Sequence, residues 1–255
     1  MSLNRLPIIF LNVLKLSVKL NLWSTVYFNF KVLPFHQAVK LPFHFFGKTD
    51  FADLSGKFII QAKEVHFGMI VFGGKHEVVI SSNVPTRIFN SGIIEFKSNA
   101  KFARGINVMV WDNGVLSIGH NFSIGSLSRM ICFRKMNFGN DVLIAWECQF
   151  FDTDFHFNKE KDQSIKDNCG TVTIEDETWI GARSTILKNT IIPKNSIVGA
   201  NSLCSGNYRE KNGEGILLAG IPAKVLKTDV SYIVDKKQEQ ELFAHFSKNQ
   251  NQILN

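Results

Sequence analysis

Along residues 174 to 209 the apolar positions fall on a six-residue beat: Ile174, Ile180, Ile186, Ile192, Val198 and Cys204. Four places after each of the first five stands a small hydroxyl residue, namely Thr178, Ser184, Thr190, Ser196 and Ser202. Six is neither a helix period nor a simple strand period. On a helix, residues six apart lie about 600° round the axis and share no face. A short strand plus a corner does fit six residues, with one side chain per unit pointing inward. Three units then close a triangular coil of about eighteen residues, and successive coils stack at the strand spacing of roughly 4.8 Å. The aliphatic position fills the axis, and the small residue fits where the chain turns.

The beat recurs upstream with interruptions, in Phe96, Phe102 and Val108, in Ile118, Ile124 and Met130, and in Phe138, Ile144 and Phe150. Ile94-Glu95-Phe96, Leu116-Ser117-Ile118, Met136-Asn137-Phe138 and Val172-Thr173-Ile174 open each coil alike. Before residue 90 the beat is faint, with Ile60, His66 and Phe72 in phase. Between Phe150 and Ile174 it is broken by residues 157–170, whose Lys159, Glu160, Lys161, Asp162, Lys166 and Asp167 cannot fill a dry axis. That stretch is expected to project from a corner. The flanks differ in character. Residues 1–55 hold Pro7, Pro34 and Pro42 and read as an N-terminal cap of a short helix and an extended segment. Residues 56–208 form the repeat. Residues 209–255 read as a loop, a tail and a C-terminal helix carrying Val230, Ile233, Leu242, Phe243 and Phe246. The expected fold class is an all-β solenoid, a parallel β-helix with a protruding loop, an N-terminal cap and a C-terminal α-helix.

Composition sharpens this reading at a few points. The 255 residues are 45% apolar and 20% charged, which excludes a mostly disordered chain and a polytopic membrane protein. The 23 Phe, against 3 Tyr and 4 Trp, need a dry place that the inward positions supply in part. A net charge of +7 allows an anionic ligand or a membrane surface as partner. Cys132, Cys148, Cys169 and Cys204 form no CxxC pair and no zinc spacing, so reduced thiols and a cytoplasmic setting are expected. The apolar run from Leu6 to Val13 falls short of the roughly twenty residues a membrane span needs. Leu6, Ile9, Leu11, Leu14 and Leu20, with Arg5, Lys15 and Lys19, suit a helix lying on an anionic bilayer at the inner face of the membrane. They suit an end cap packed on the first coil better still.

Three stretches, in this order, resemble the hexapeptide-repeat acyltransferases and their maltose, galactoside and polysaccharide O-acetyltransferase branch. They are Phe151-Asp152-Thr153-Asp154-Phe155-His156, Trp179-Ile180-Gly181-Ala182-Arg183-Ser184 and Ala219-Gly220-Ile221-Pro222-Ala223-Lys224. The resemblance covers roughly residues 90 to 227. It implies a left-handed coil, against the general right-handed crossover rule. It further implies acetyl-coenzyme A as co-substrate, a sugar acceptor, no metal, no nucleic acid, and a homotrimer with each site between neighbours. His156 matches the general base, for which a neutral imidazole with a pKa near working pH is suited. Asp154, in preference to Asp152, is expected to orient that imidazole or touch the acceptor, with Glu147 a further candidate. Ala182, Ala200, Ser205 and Gly206 match donor contacts, where small residues let a pantetheine arm lie close, and Trp179 either packs against the donor or caps a coil. Lys224 and Lys227 match the positions that meet nucleotide phosphates.

The expected activity is therefore O-acetylation of a sugar, of a surface polysaccharide or its precursor. N-acetylation of an amino sugar would use the same site. A non-catalytic scaffold would need neither His156 nor the lysines. A metal site like that of γ-carbonic anhydrase needs three His, yet only His120 and His156 lie in the well-phased part. Asp152-Thr153-Asp154 as the metal triplet of a glycosyltransferase would need an alternating α/β domain that this pattern lacks.

Overall fold

Each six-residue unit folds as a short strand and a corner, and three units make one turn of a three-faced parallel coil. The computed structural model describes residues 20–74 and 82–253. The first face is a nine-stranded sheet running from Phe43–Phe45 to Ala223–Lys227, parallel throughout except for that last strand, which returns antiparallel along Leu217–Gly220. The second face has seven strands, from Thr49–Asp53 to Leu203–Cys204. The third has six, from Lys57–Ile60 to Thr190–Ile192. This architecture is the one typical of left-handed β-helices.

The register stacks the six-residue beat into columns. On the third face Ile60, Phe96, Ile118, Phe138, Ile174 and Ile192 lie on successive rungs. On the second, Met130, Phe150, Ile186 and Cys204 do the same. All are buried and line one continuous core. Phe45, Phe72 and Phe102 stack nearly parallel, with centroids 5.3 and 4.3 Å apart, so the phenylalanine surplus fills the wide early coils. Cys204 points into the same axis, where burial pushes its thiol up to about 12.

The corners explain the length of the unit. Three places after an inward aliphatic residue the backbone enters the left-handed region, as at Asn121, Asn189, Asn195 and Asn201, with φ between 52° and 61°. Asparagine tolerates that conformation best after glycine. One place later the small hydroxyl donates to a backbone carbonyl: Thr178 to Pro193 at 3.3 Å, Ser184 to Gly199 at 3.0 Å and Thr190 to Cys204 at 3.2 Å. A side chain there must be small to fit and polar to satisfy a buried carbonyl.

At the N-terminal end the ladders begin at Phe43, ahead of the boundary at residue 56 expected from the faint beat. Ile60 and Phe72 do point inward, but His66 between them is exposed on an excursion and bonds Asn99 at 3.1 Å. Helices α1 (Leu22–Val32) and α2 (Phe35–Ala38) close this end. Asn29 of α1 is fully buried, donates to the carbonyls of Thr25 and Phe43, and accepts the Phe43 N–H, thereby satisfying the edge strand. The Leu6 to Val13 run, like all of residues 1–19, lies outside the described residues. At the other end a short helix α3 (Tyr208–Asn212) packs over the third face, and α4 (Lys236–Ile253) follows the last strand. No helix among the described residues is long and apolar enough to cross a membrane.

Candidate functional site

Two edges of the prism carry the residues singled out in the sequence. His156 lies at the edge between the second and third faces, just beyond the strand Gln149–Phe151. The chain leaves the coil there through Asp152, which is fully buried. Its carboxylate accepts the backbone N–H groups of Phe133, Arg134 and Lys135 at 2.7, 2.8 and 2.8 Å. Asp152 thus holds the corner of the preceding coil rather than the imidazole. Phe155 then adopts φ 63°, helped by its N–H bonding the Thr153 hydroxyl at 3.0 Å, and turns His156 out into solvent.

The projecting stretch is a two-stranded hairpin, Asn158–Lys159 with Ile165–Lys166, fully outside the core. Its base is tethered. Lys188, one coil further along the same edge, pairs with Asp154 at 2.5 Å and donates to the Asp167 carbonyl at 2.9 Å. Arg134, from the coil before, binds the Asp167 carboxylate at 2.6 Å and the Cys169 carbonyl at 3.1 Å. The Cys169 N–H, and then Arg134, hold the Asp167 carboxyl below its ordinary value. Neither Lys188 nor Arg134 stands out in the sequence. Each occupies a variable place in its unit, and partners more than twenty residues away leave no local trace. Asp154 therefore engages Lys188, and His156 is exposed to solvent. Beside it, Phe133 meets Phe155 edge-on at 5.8 Å, and Phe133, Trp111 and Phe89 stack back along the edge.

The second group lies on the first face and its edge with the second. Trp179 stands on the first face, paired in register with Leu143 and Ile197 and partly exposed. Ala182 and Ala200 occupy the same corner one coil apart, tied by the Asn201 N–H to the Ala182 carbonyl at 2.9 Å. Gly181, Gly199 and Ala219 continue the column. A Cβ on Gly181 would come within 2.6 Å of the Ala200 nitrogen, so only glycine lets these rungs close. Lys224 pairs with Ala219 at the head of this column, and Lys227 with Leu217 at the other end of the same strand. Glu147, on the same edge, forms a 2.5 Å ion pair with Arg183 and lies away from His156.

Ser205 and Gly206 fall on the His156 edge, at the last coil. The Tyr208 hydroxyl accepts the Ser205 N–H and donates to the Ala223 carbonyl, both at 3.3 Å, linking that corner to the final strand. Within one chain, then, Trp179, Ala182, Ala200 and Lys224 converge, and Asp154 and His156 are neighbours. The width of the second face separates the two groups.

The chain aligns with an uncharacterized 24.8 kDa protein in the cps region of Klebsiella pneumoniae, 29% identical over 60% of this chain and 66% of that protein. It is 28% identical to a putative lipopolysaccharide biosynthesis O-acetyl transferase, WbbJ, of Escherichia coli, over 56% of this chain and 76% of the relative. With its six-residue repeat and these relatives, the chain is similar to the hexapeptide-repeat acetyltransferases. No protein-family profile matches it. Among solved structures, a polysialic-acid-specific acetyltransferase, NeuO, covers 76% of this chain and 80% of its own with 17% identity and a TM-score of 0.48. On this chain's coil a tethered hairpin stands apart from the repeat and starts two residues beyond His156.

Proposed function

We propose that this protein is an acetyl-coenzyme A-dependent O-acetyltransferase that acts on a sugar hydroxyl of a bacterial surface polysaccharide or its precursor, in the cytoplasm. The observation that carries the reading is the exposed His156 at the foot of a pinned hairpin, on a hexapeptide coil whose other edge bears a glycine–alanine column headed by Lys224. The two relatives support it, since one is described as a lipopolysaccharide O-acetyl transferase and the other lies in a cps region.

In this reaction the His156 imidazole takes the acceptor hydroxyl's proton as the oxygen attacks the thioester carbonyl. The tetrahedral oxyanion accepts hydrogen bonds from backbone N–H groups. It collapses by expelling the coenzyme A thiolate, which recovers the proton from the imidazolium. The pantetheine arm lies along Gly181, Ala182, Gly199 and Ala200, with Trp179 beside it, and Ser205 and Gly206 add a later contact. Lys224 and Lys227 meet the nucleotide phosphates as point charges. Asp154 acts on the base through the hairpin tether. Because base and donor column occupy different edges, three chains side by side complete each site, with His156 of one facing the column of its neighbour.

His156→Ala tests this directly. It lowers kcat by about 10²- to 10⁴-fold with donor affinity unchanged. Activity above one third of the parent's in the purified variant rejects His156 as the base.

A further inference from the structure

Helix α1 carries apolar side chains on both its inner and its outer side. Its inner side, with Thr25, Phe28 and Asn29, closes the first coil. Its outer side presents Leu22, Trp23, Val26, Tyr27 and Phe30 to solvent. These positions repeat as i, i+3, i+4 and i+7 and so form one stripe. Trp23 is 79% exposed and Phe35 of α2 is 75% exposed, with the Phe35 ring 6.1 Å from that of Phe30. Among the described residues the largest aromatic side chains of this end thus lie outside the core they could have joined. A contiguous patch of this kind marks an interaction surface.

The charge around the patch selects the partner. Among the described residues, Lys31, Lys40 and Lys48 all precede the first carboxylate, Asp50. Asp50 is itself paired with Arg87 at 2.8 Å. Lys31 lies in the last turn of α1 and Lys40 just after α2, both exposed beside the aromatic stripe. Tryptophan and tyrosine settle at the headgroup level of a bilayer, and lysine is attracted to anionic lipid. An aromatic stripe with Lys31 in its helix and Lys48 lining the same groove as Trp23 and Tyr27 suits that boundary.

We propose that the outer face of α1, with Phe35, docks the N-terminal end of the prism onto an anionic lipid bilayer. The prism axis then stands up from the membrane, with the sites on its edges open to the aqueous side. This inference is independent of the acetyl-transfer reading, because none of its residues belongs to that site.

Co-flotation of the full chain with vesicles decides the matter. The chain floats with mixed phosphatidylglycerol–phosphatidylcholine vesicles and not with phosphatidylcholine alone. The Trp23→Ser/Tyr27→Ser/Phe30→Ser variant, changed only at exposed positions, lowers the partition coefficient by about tenfold or more with an unchanged melting temperature. Should that variant melt early, Lys31→Glu/Lys40→Glu takes its place, since it keeps the aromatic stripe and loses anionic-vesicle binding by at least about threefold. A full chain that stays at the bottom of the gradient overturns the proposal. So does flotation untouched by both variants, which puts binding elsewhere. A parent whose light-scattering mass falls on the triple substitution, without vesicle binding, overturns it too and makes the stripe a protein contact instead.

Discussion

Replacing Asp152 by alanine deletes the acceptor for three backbone N–H groups at one corner, those of Phe133, Arg134 and Lys135. A hydrogen bond to a charged group contributes about 1.5–3 kcal/mol, and a buried donor left without a partner costs about 1–3 kcal/mol. The corner is only half-buried, so water satisfies part of what is lost, and the expected cost is about 3–5 kcal/mol. For a chain of this size that is a fall in melting temperature of roughly 6–20 °C. Asp152→Asn keeps one oxygen for two of the N–H groups but turns its own NH₂ toward the third, and is expected to cost about 1–3 kcal/mol. Thermal melts followed by far-ultraviolet circular dichroism give the ranking parent, asparagine, alanine. Acetyl transfer by the alanine variant, measured well below its melting point, stays within about threefold of the parent if its carboxylate acts only through the corner. A variant that melts with the parent yet has lost transfer places Asp152 in the chemistry and refutes this account.

Lys224→Ala/Lys227→Ala raises the donor KM, most strongly at low salt, and leaves kcat nearly unchanged; equal donor affinity in the double variant removes the phosphate assignment. Replacing residues 159–167 by a Gly/Ser linker of equal length lowers kcat/KM for the sugar with the donor KM unaltered; no change in the presence of an intact trimer denies the hairpin an acceptor role. His44 is buried with its Nε2 unbonded, and desolvation lowers its pKa below the ordinary 6.5. Its unfolded form gains a proton that the folded form refuses, so stability is full above pH 6.5 and is lost as pH falls below it. Melting temperature falls less between pH 7 and pH 5.5 in His44→Gln than in the parent; parallel curves dismiss that contribution.

The coil was legible because its determinant repeats. Ile174 to Cys204 each mark an inward position, and the hydroxyls after them mark corners, so one misread residue changes little. The early coils were harder to read. Phe43, Phe45 and Phe58 fill the axis as well as Ile does, but the excursion through His66 breaks the count that would have revealed them. The helical cap of Leu22 to Val32 passed unmarked at its outer face, since apolar residues read alike whether they face the core or solvent. His156 and the Gly-Ala corners were visible through ordered motifs. Lys188 and Arg134 were not, because what gives them meaning is stacking across coils, and a sequence does not display which rung lies above which.

Stacking also quantises distance in this molecule. Ala145, Gly181, Gly199, Ala219 and Lys224 occupy five successive rungs, so the level from which His156 departs and the level of Lys224 differ by whole steps, roughly 19 Å in all. Deleting the eighteen residues from Gly181 through Val198 would leave every later side chain on its own face and shorten that offset by one step, roughly 4.8 Å. Deleting six would keep every aliphatic residue in phase and yet turn all that follows by a third of a revolution, carrying Lys224 to a different face. The solenoid therefore works as a ruler and an indexing wheel at once. On the proposed reading, the number of coils between base and phosphate contacts is the coarse gauge for the length of donor arm, and side chains at the corners only trim it.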